Sequence, residues 1–159
     1  MQAFAKSILI SILVSVCLLL FTSLIFFFPW YMTLVVETFN LSQIAAGDNY
    51  VKQTYYDEAL HKLRDRPIFR DKADEINIEV LKDGGGSAIG YDDETLYYYL
   101  GDNEKPYRQR GESITVRISA EYPFSITLWG EPLERPFPIQ FELKTVGLKH
   151  YKDLPYYPD

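Results

Sequence analysis

The chain opens with an apolar stretch that is too long for a strand. Residues 8–28 contain no charged side chain. A helix of this length is about 30 Å long at about 1.5 Å per residue, which matches the hydrocarbon thickness of a bilayer. The pattern predicts a transmembrane helix over residues 8–30, with the membrane anchor including Ile8, Leu13, Leu20 and Phe28.

Aromatic residues follow this stretch. Pro29 is expected to bend the chain at the membrane exit, and Trp30 and Tyr31 are expected to form an interfacial aromatic belt. A cleaved secretory signal is the alternative, but such signals have an apolar region of about 7–15 residues that ends at small residues. Phe-Phe-Phe-Pro-Trp at 26–30 offers no such site, so an uncleaved anchor is favoured.

Charge gives the direction of the span. Lys6 precedes it, and an acidic segment beginning with Glu37 follows it. The positive-inside rule therefore places residues 1–7 in the cytoplasm and the remainder outside. This predicts a single-pass protein of the cytoplasmic membrane, with an N-terminus inside and a C-terminal domain outside.

The period of the apolar residues stays helical beyond the span. The segment 33–63 has no proline, and its apolar residues recur at intervals of three, four or seven: Leu34, Leu41, Ile44, Val51, Tyr55, Ala59 and Leu63. This pattern predicts an extended amphipathic helix over residues 31–66. It should end at Arg66, because a residue before proline is pushed away from helical angles.

After Pro67 the period changes to two, which predicts an exported β-rich domain over residues 67–159. Alternating strands are expected at 76–80, at 114–128 and at 139–143, with a shorter one at 96–100. Glycines 84–86 and 90 mark one turn and residues 130–138 another, and Pro123 indicates an edge position or a bulge. The predicted fold class is α+β: an N-terminal transmembrane helix extended into an amphipathic helix packed on an antiparallel β-sheet.

Composition narrows the functional classes. The formal net charge is -6, and no basic stripe is visible, so nucleic acid is not an expected partner. Cys17 is the only cysteine and lies in the apolar stretch, which excludes an intrachain disulfide and a catalytic thiol in the exported domain. The chain has only two histidines, and its glycine cluster matches no nucleotide-binding pattern. No catalytic, cofactor or metal residue is therefore assigned.

Three features leave alternatives open. Acidic residues at 92–94 and 102–104 could hold calcium, although ordinary acidic turns are favoured. The tyrosines of the exported domain could form an adhesive surface, although a role in the core is favoured. The proline-rich end 152–159 is either a frayed tail or an arm laid on a neighbour.

An uncharged span that leads into a long helix, a glycine turn and an antiparallel sheet resembles the plan of pilins and pseudopilins. Short stretches at 44–50, 107–116 and 147–152 are similar to TadE-like proteins of tight-adherence or type IV pilus-related loci. The chain differs from prepilins in having Lys6 and Ser7 before the span and no acidic residue before Glu37. The resemblance implies an accessory subunit that stays in the membrane and helps to assemble a surface appendage.

Two functional hypotheses follow. The first is a membrane-anchored structural or accessory subunit, pseudopilin-like, of a surface appendage or secretion assembly. The alternative is a membrane-tethered extracytoplasmic module that binds or senses a ligand, and an enzyme ranks behind both. The expected partners are the lipid bilayer and other membrane or pilus-assembly proteins, with self-association as a further alternative.

Overall fold

A long N-terminal helix organises the molecule. The structure is a computed structural model that describes residues 2–128 and 131–151, and its first element is helix α1, Gln2–Asp48. α1 continues through Pro29 instead of ending there. The hydroxyls of Ser15 and Thr22 donate to the carbonyls of Ser11 and Leu18, each at 2.9 Å, so these polar groups are satisfied within the helix.

The single helix predicted over 31–66 is wrong, because α1 ends at Asp48. Asn49 adopts a left-handed backbone conformation with φ 60°, which a helix cannot continue through and which asparagine tolerates better than most residues. A two-residue strand β1, Val51–Lys52, follows, and helix α2 then spans Gln53–Arg64. The end predicted at Arg66 is confirmed to within two residues, and Pro67 begins a 3₁₀ segment, Pro67–Glu75.

The predicted antiparallel sheet is confirmed. Strands β2 (Asn77–Lys82), β4 (Ser113–Leu128) and β5 (Glu131–Val146) lie in the order β2-β4-β5, with both neighbouring pairs antiparallel. β2 pairs with β4 only from Ile114 to Ser119, whereas β4 and β5 pair along their whole lengths. The two long strands therefore extend beyond the sheet as a β4–β5 hairpin.

Two shorter elements lie between β2 and β4. Strand β3, Ile89–Gly90, pairs in parallel with β1, and glycines 84–86 all have positive φ, which confirms the predicted turn. The strand expected at 96–100 is wrong, since Glu94–Tyr97 is a 3₁₀ turn. The Asp93 carboxylate accepts from the Thr95 amide at 3.0 Å, and this cap stabilises the turn against the strand propensity of the tyrosines.

The helix packs on the sheet, as predicted. Side chains of α1 such as Leu34 and Leu41 are buried against alternate residues of β4, including Val116 and Ile118. α2 covers another side of this core with Leu63. The opposite face of the sheet is polar, and there the Arg117 guanidinium bridges carboxylates on both neighbouring strands at 2.9 and 2.7 Å.

Prolines lie where the sheet is open. Pro123 pairs with Pro136 in a part of β4 that β2 no longer covers, which confirms the predicted edge position. Pro132, Pro136 and Pro138 occupy three of the four even-numbered positions from 132 to 138 in β5, with Glu134 at the fourth, so the N–H groups they lack would all have faced one side. That side must face away from β4, because a proline aimed at β4 would interrupt the ladder.

Candidate functional site: the apolar helix surface and the adjoining hairpin

Most of the N-terminal half of α1 is exposed in the described part of the chain. The predicted anchor residues Ile8, Leu13, Leu20 and Phe28 are all exposed, at between 47% and 64%. Among residues 2–128 and 131–151, α1 is the one helix that is long and apolar enough to cross a membrane, judged by length and composition. The exposed large apolar residues from Phe4 to Phe28 thus form one continuous helix surface.

Trp30 does not occupy the position of a belt residue. Its indole is 2% exposed and packs against the rings of Phe69 and Tyr122 at 5.2 and 5.1 Å between centroids. The prediction that Trp30 faces an interface is wrong, because the adjoining sheet covers it. Its Nε1–H has no hydrogen-bond partner among the described atoms. Tyr31 is half-buried and meets the ring of Phe141 edge-on at 6.1 Å.

The β4–β5 hairpin continues down the apolar helix below Trp30. The rings of Phe27 and Tyr122 meet edge-on at 5.1 Å. Beyond this contact the helix and the hairpin enclose a groove of about 260 Å³, lined by seven apolar or aromatic residues: Leu20, Leu24, Phe27, Tyr122, Phe124, Phe137 and Ile139. The sequence did not predict this groove, because the strand alternation does not show where the hairpin lies along α1.

A partly buried ion pair joins the two helices. The Lys62 ammonium lies 3.0 Å from a carboxylate oxygen of Glu37, whose side chain is 5% exposed. Lys62 itself is half-exposed. The pair compensates the cost of placing an acidic group on the packed face of α1.

The far end of α1 is held by the Asn49 side chain. Its amide nitrogen donates to the carbonyls of Arg108 and Lys149, at 2.7 and 2.6 Å. Its amide oxygen accepts from the Lys149 backbone at 2.9 Å. One buried side chain thus connects the helix end to two distant segments, and Gly147 packs directly against it.

Four tyrosines form a second core beside Asn49, made of Tyr50, Tyr97, Tyr107 and Tyr151. The rings of Tyr107 and Tyr151 stack with centroids 3.8 Å apart, and the Tyr151 hydroxyl donates to the Asp48 carbonyl at 2.6 Å. Burial, followed by the nearby Glu94 carboxylate, raises the pKa of both Tyr50 and Tyr151. The preference for a core role is thus confirmed for Tyr97, Tyr107 and Tyr151, and Tyr50 joins them from outside the predicted exported domain.

Other tyrosines are placed differently. Tyr98 and Tyr99 are exposed, and Tyr122 is half-buried beside the helix. Tyr156 and Tyr157, together with the whole segment 152–159, lie outside the described residues, so the alternatives for that segment stay open.

A polar cavity of about 490 Å³ lies beside the glycine turn, lined by residues that include Lys82, glycines 84–86, Tyr97 and Arg108. The Lys82 ammonium donates to the carbonyls of Asn103 and Lys105 at 2.9 and 2.7 Å. Burial, followed by the positive charge of Arg108, lowers the pKa of Lys82. The cavity therefore contains a lysine charge that is already bound to backbone oxygens.

The acidic turns are engaged within the protein. The Asp92 carboxylate accepts two hydrogen bonds from Thr54, one from the side-chain hydroxyl and one from the backbone amide. Hydrogen bonds from Thr95 lower the pKa of Asp93, and Glu94 forms an ion pair with Lys149 at 2.6 Å. In the described segments no three Asp, Glu, His or Cys side chains converge as a metal site would require.

Comparisons of the chain with protein-family models, with curated proteins and with solved structures returned no match. The residues described above are thus the basis for any functional assignment.

Proposed function

We propose that this protein is a single-pass protein of the cytoplasmic membrane, and that it serves as a pseudopilin-like structural or accessory subunit of a surface appendage or secretion assembly. One observation supports this more than any other: α1 is continuous from its bare apolar half into the half that packs on the sheet. An anchor and a presented domain built on one helix form a rigid unit, which suits a subunit that positions other proteins.

The solvation of α1 supports the membrane location. Full burial of a leucine, isoleucine or phenylalanine side chain is worth about 1.5–3 kcal/mol. More than a dozen such residues between Phe4 and Phe28 are exposed, so leaving them in water would cost tens of kcal/mol by this measure. A bilayer removes that cost without any change in the fold.

The composition of the span supports lateral association. Ser11 and Ser15 are four residues apart and therefore lie on one face of α1. Small residues at this spacing allow membrane helices to approach closely. The proposed role accordingly needs no reaction and no cofactor, and the partners would be other membrane helices, a second copy of this chain included.

The second candidate function is a membrane-tethered ligand-binding or sensing module. The observation that favours it is the polar cavity beside the glycine turn, whose size is typical of small-molecule sites. The first function is preferred, because the Lys82 ammonium in the cavity already donates to two backbone carbonyls, whereas α1 runs without a break from its apolar half into the half that packs on the sheet.

Site-specific photo-crosslinking in native membranes tests the proposal. A photoreactive residue at Ser11 should give discrete protein adducts, whereas the same residue at Leu13, on the opposite side of the helix, should give mainly lipid adducts. Mass spectrometry should identify membrane or secretion proteins, or a second copy of the chain, in the Ser11 adducts. Recovery of the chain alone from both positions would contradict an assembly role.

A further inference from the structure

The main sheet has one open edge along the C-terminal half of β5, and we propose that this edge, residues 140–146, binds an extended segment of a partner protein as an added strand. The partner segment is apolar at alternate positions and carries an acidic side chain beside Lys144. This inference rests on the proposed function and deepens it, because it names the kind of partner that the subunit holds outside the bilayer.

The backbone groups of β5 provide the first observation. β5 is the last strand in the order β2-β4-β5, so one of its edges has no strand beside it among the described residues. The Gly147 amide donates to the Glu112 carbonyl at 3.0 Å, on the β4 side. Since strand residues alternate, Gln140, Glu142 and Lys144 point their N–H and C=O groups away from β4. These groups make no hydrogen bond within the described segments.

Proline blocks only the other half of this edge. Pro132, Pro136 and Pro138 lack the outward N–H groups that another strand would need. The outer edge of β2 is covered by the chain itself, since the Ala88 amide donates to a β2 carbonyl at 2.8 Å. Residues 140–146 have neither form of protection against strand addition.

The inner face of β5 is incompletely covered. On β4 the inward side chains of Val116 and Ile118 are fully buried, each 0% exposed. The inward side chains of Phe141 and Leu143 on β5 are only half-buried, although α1 packs on the same face. An added strand would lie about 4.8 Å beyond β5, and its own inward side chains would cover these two residues.

α1 has an apolar surface beside the same edge. Tyr31 meets the Phe141 ring edge-on at 6.1 Å, and Val35, one turn further on, is half-buried like Tyr31. Phe39, a further turn on, is 52% exposed. Phe39 lies about 16 Å beyond Phe28, the last of the predicted anchor residues, so the bilayer does not account for its exposure. Apolar residues at every second position of an added strand would pack against this surface.

Charge specifies one further position of the partner. The Glu142 carboxylate is already bound by the Arg117 guanidinium at 2.7 Å. Lys144 is exposed on the same polar face and forms no ion pair with the described residues. Opposite charges on neighbouring strands stabilise the pairing, and like charges destabilise it. An acidic side chain therefore fits beside Lys144, whereas two β5 strands paired in register would bring two Lys144 ammonium groups together.

A proline in the open edge tests whether the partner binds through the backbone. Gln140→Pro removes an outward N–H that β4 does not use, and β5 already contains three prolines in this register. Glu134→Pro is the matched control, because it makes the same change at an exposed outward position between Pro132 and Pro136. Urea unfolding in detergent micelles should give equal midpoints for both variants and the wild type. If Gln140→Pro lowered the midpoint, the charge variant Lys144→Glu would decide the test.

The readout is a photo-crosslink from β5 in native membranes that contain the full-length chain. p-Benzoylphenylalanine replaces Phe141, as one aromatic residue for another. We expect a protein adduct whose crosslinked peptide, identified by mass spectrometry, alternates apolar and polar residues and includes an acidic one. Gln140→Pro should lower the adduct yield about tenfold, Lys144→Glu should lower it by a smaller factor, and Glu134→Pro should leave it unchanged.

Several results would overturn the inference. One is a yield that neither Gln140→Pro nor Lys144→Glu changes, and another is an equal loss in Glu134→Pro. The absence of a protein adduct, or an adduct to residues 152–159 of this chain or to a second copy, would also exclude the proposed partner. If the photoreactive residue at Ser11 still gives protein adducts in such a case, the assembly role stands without the open edge. If Ser11 gives none either, both proposals are wrong.

Discussion

Gly147→Ala tests the contact that holds the end of α1. A Cβ atom at position 147 would lie 2.5 Å from Cγ of Asn49, 2.6 Å from Oδ1 and 2.8 Å from Nδ2. Gly147 does not have a left-handed φ, so alanine meets no backbone penalty there. The whole effect must come from displacing the Asn49 amide.

The magnitude follows from the hydrogen bonds at stake. The Asn49 amide makes three of them, to Arg108 and Lys149, at 2.6–2.9 Å in a site that is 1% exposed. A buried polar group left without a partner costs about 1–3 kcal/mol. Partial loss of the three bonds should lower the free energy of unfolding by about 2–4 kcal/mol, a large share of the 5–15 kcal/mol typical of a domain.

Urea unfolding in detergent micelles measures this change in the free energy of unfolding. The near-ultraviolet circular dichroism of the tyrosine core reports the fraction of folded protein at each urea concentration. Gly47→Ala is the matched control: a Cβ there meets nothing within 4 Å, and alanine favours the helix by up to about 1 kcal/mol. The control should unfold at the same or a higher urea concentration than the wild type. Equal midpoints for Gly147→Ala and Gly47→Ala would refute the reasoning about Asn49.

Three further predictions concern stability. Lys62→Met leaves the Glu37 carboxylate buried without its partner and should cost about 1–3 kcal/mol in urea unfolding; adding Glu37→Gln should restore part of the loss, and an unchanged midpoint in the single variant would count against the pair. Gly90→Ala should also destabilise the fold, because its Cβ would lie 2.6 Å from Cγ of Pro106 and 2.6 Å from the Tyr97 hydroxyl. If this variant unfolded at the same temperature as the wild type, the result would contradict this packing. The raised pKa values of Tyr50 and Tyr151 stabilise the fold below the ordinary tyrosine pKa of about 10, and that stability is lost as the pH rises above it. An ultraviolet titration should therefore show two tyrosines that ionise only when the protein unfolds; normal titration of every tyrosine in the folded chain would argue against their burial.

The helix and the main sheet could be predicted because local patterns specify them. The strict alternation from Ile114 to Tyr122 and the helical spacing from Leu34 to Leu41 each define a buried face, and those faces meet in the structure. Pro67 ended the helical region near its predicted place for a local steric reason.

The break at Asn49 could not be predicted in the same way. The helical spacing of apolar residues continues across it, from Ile44 to Val51, and the break depends on bonds to Arg108 and Lys149, far away in sequence. The burial of Trp30 likewise depends on Tyr122, and the tyrosine core joins residues from four separate segments. The local pattern of a single amino-acid sequence does not indicate such long-range contacts.

The position of the hairpin beside the apolar part of α1 could not be predicted either, because it also depends on a long-range contact. The sequence indicates both strands and the apolar stretch, but only the packing of Tyr122 on Phe27 shows that they share one level. The local pattern therefore predicted the apolar helix and the two strands but not their arrangement.

The anchoring of the full-length chain in a membrane is the claim on which the other functional statements depend. Its most direct test is to isolate cell membranes, wash them with alkaline carbonate, and determine the mass of the protein that remains. The expected result is a protein that still contains the apolar stretch 8–28, stays in the membrane pellet and is released only by detergent. An intact chain in the carbonate wash, or a shorter soluble chain lacking the apolar stretch 8–28, would contradict the account.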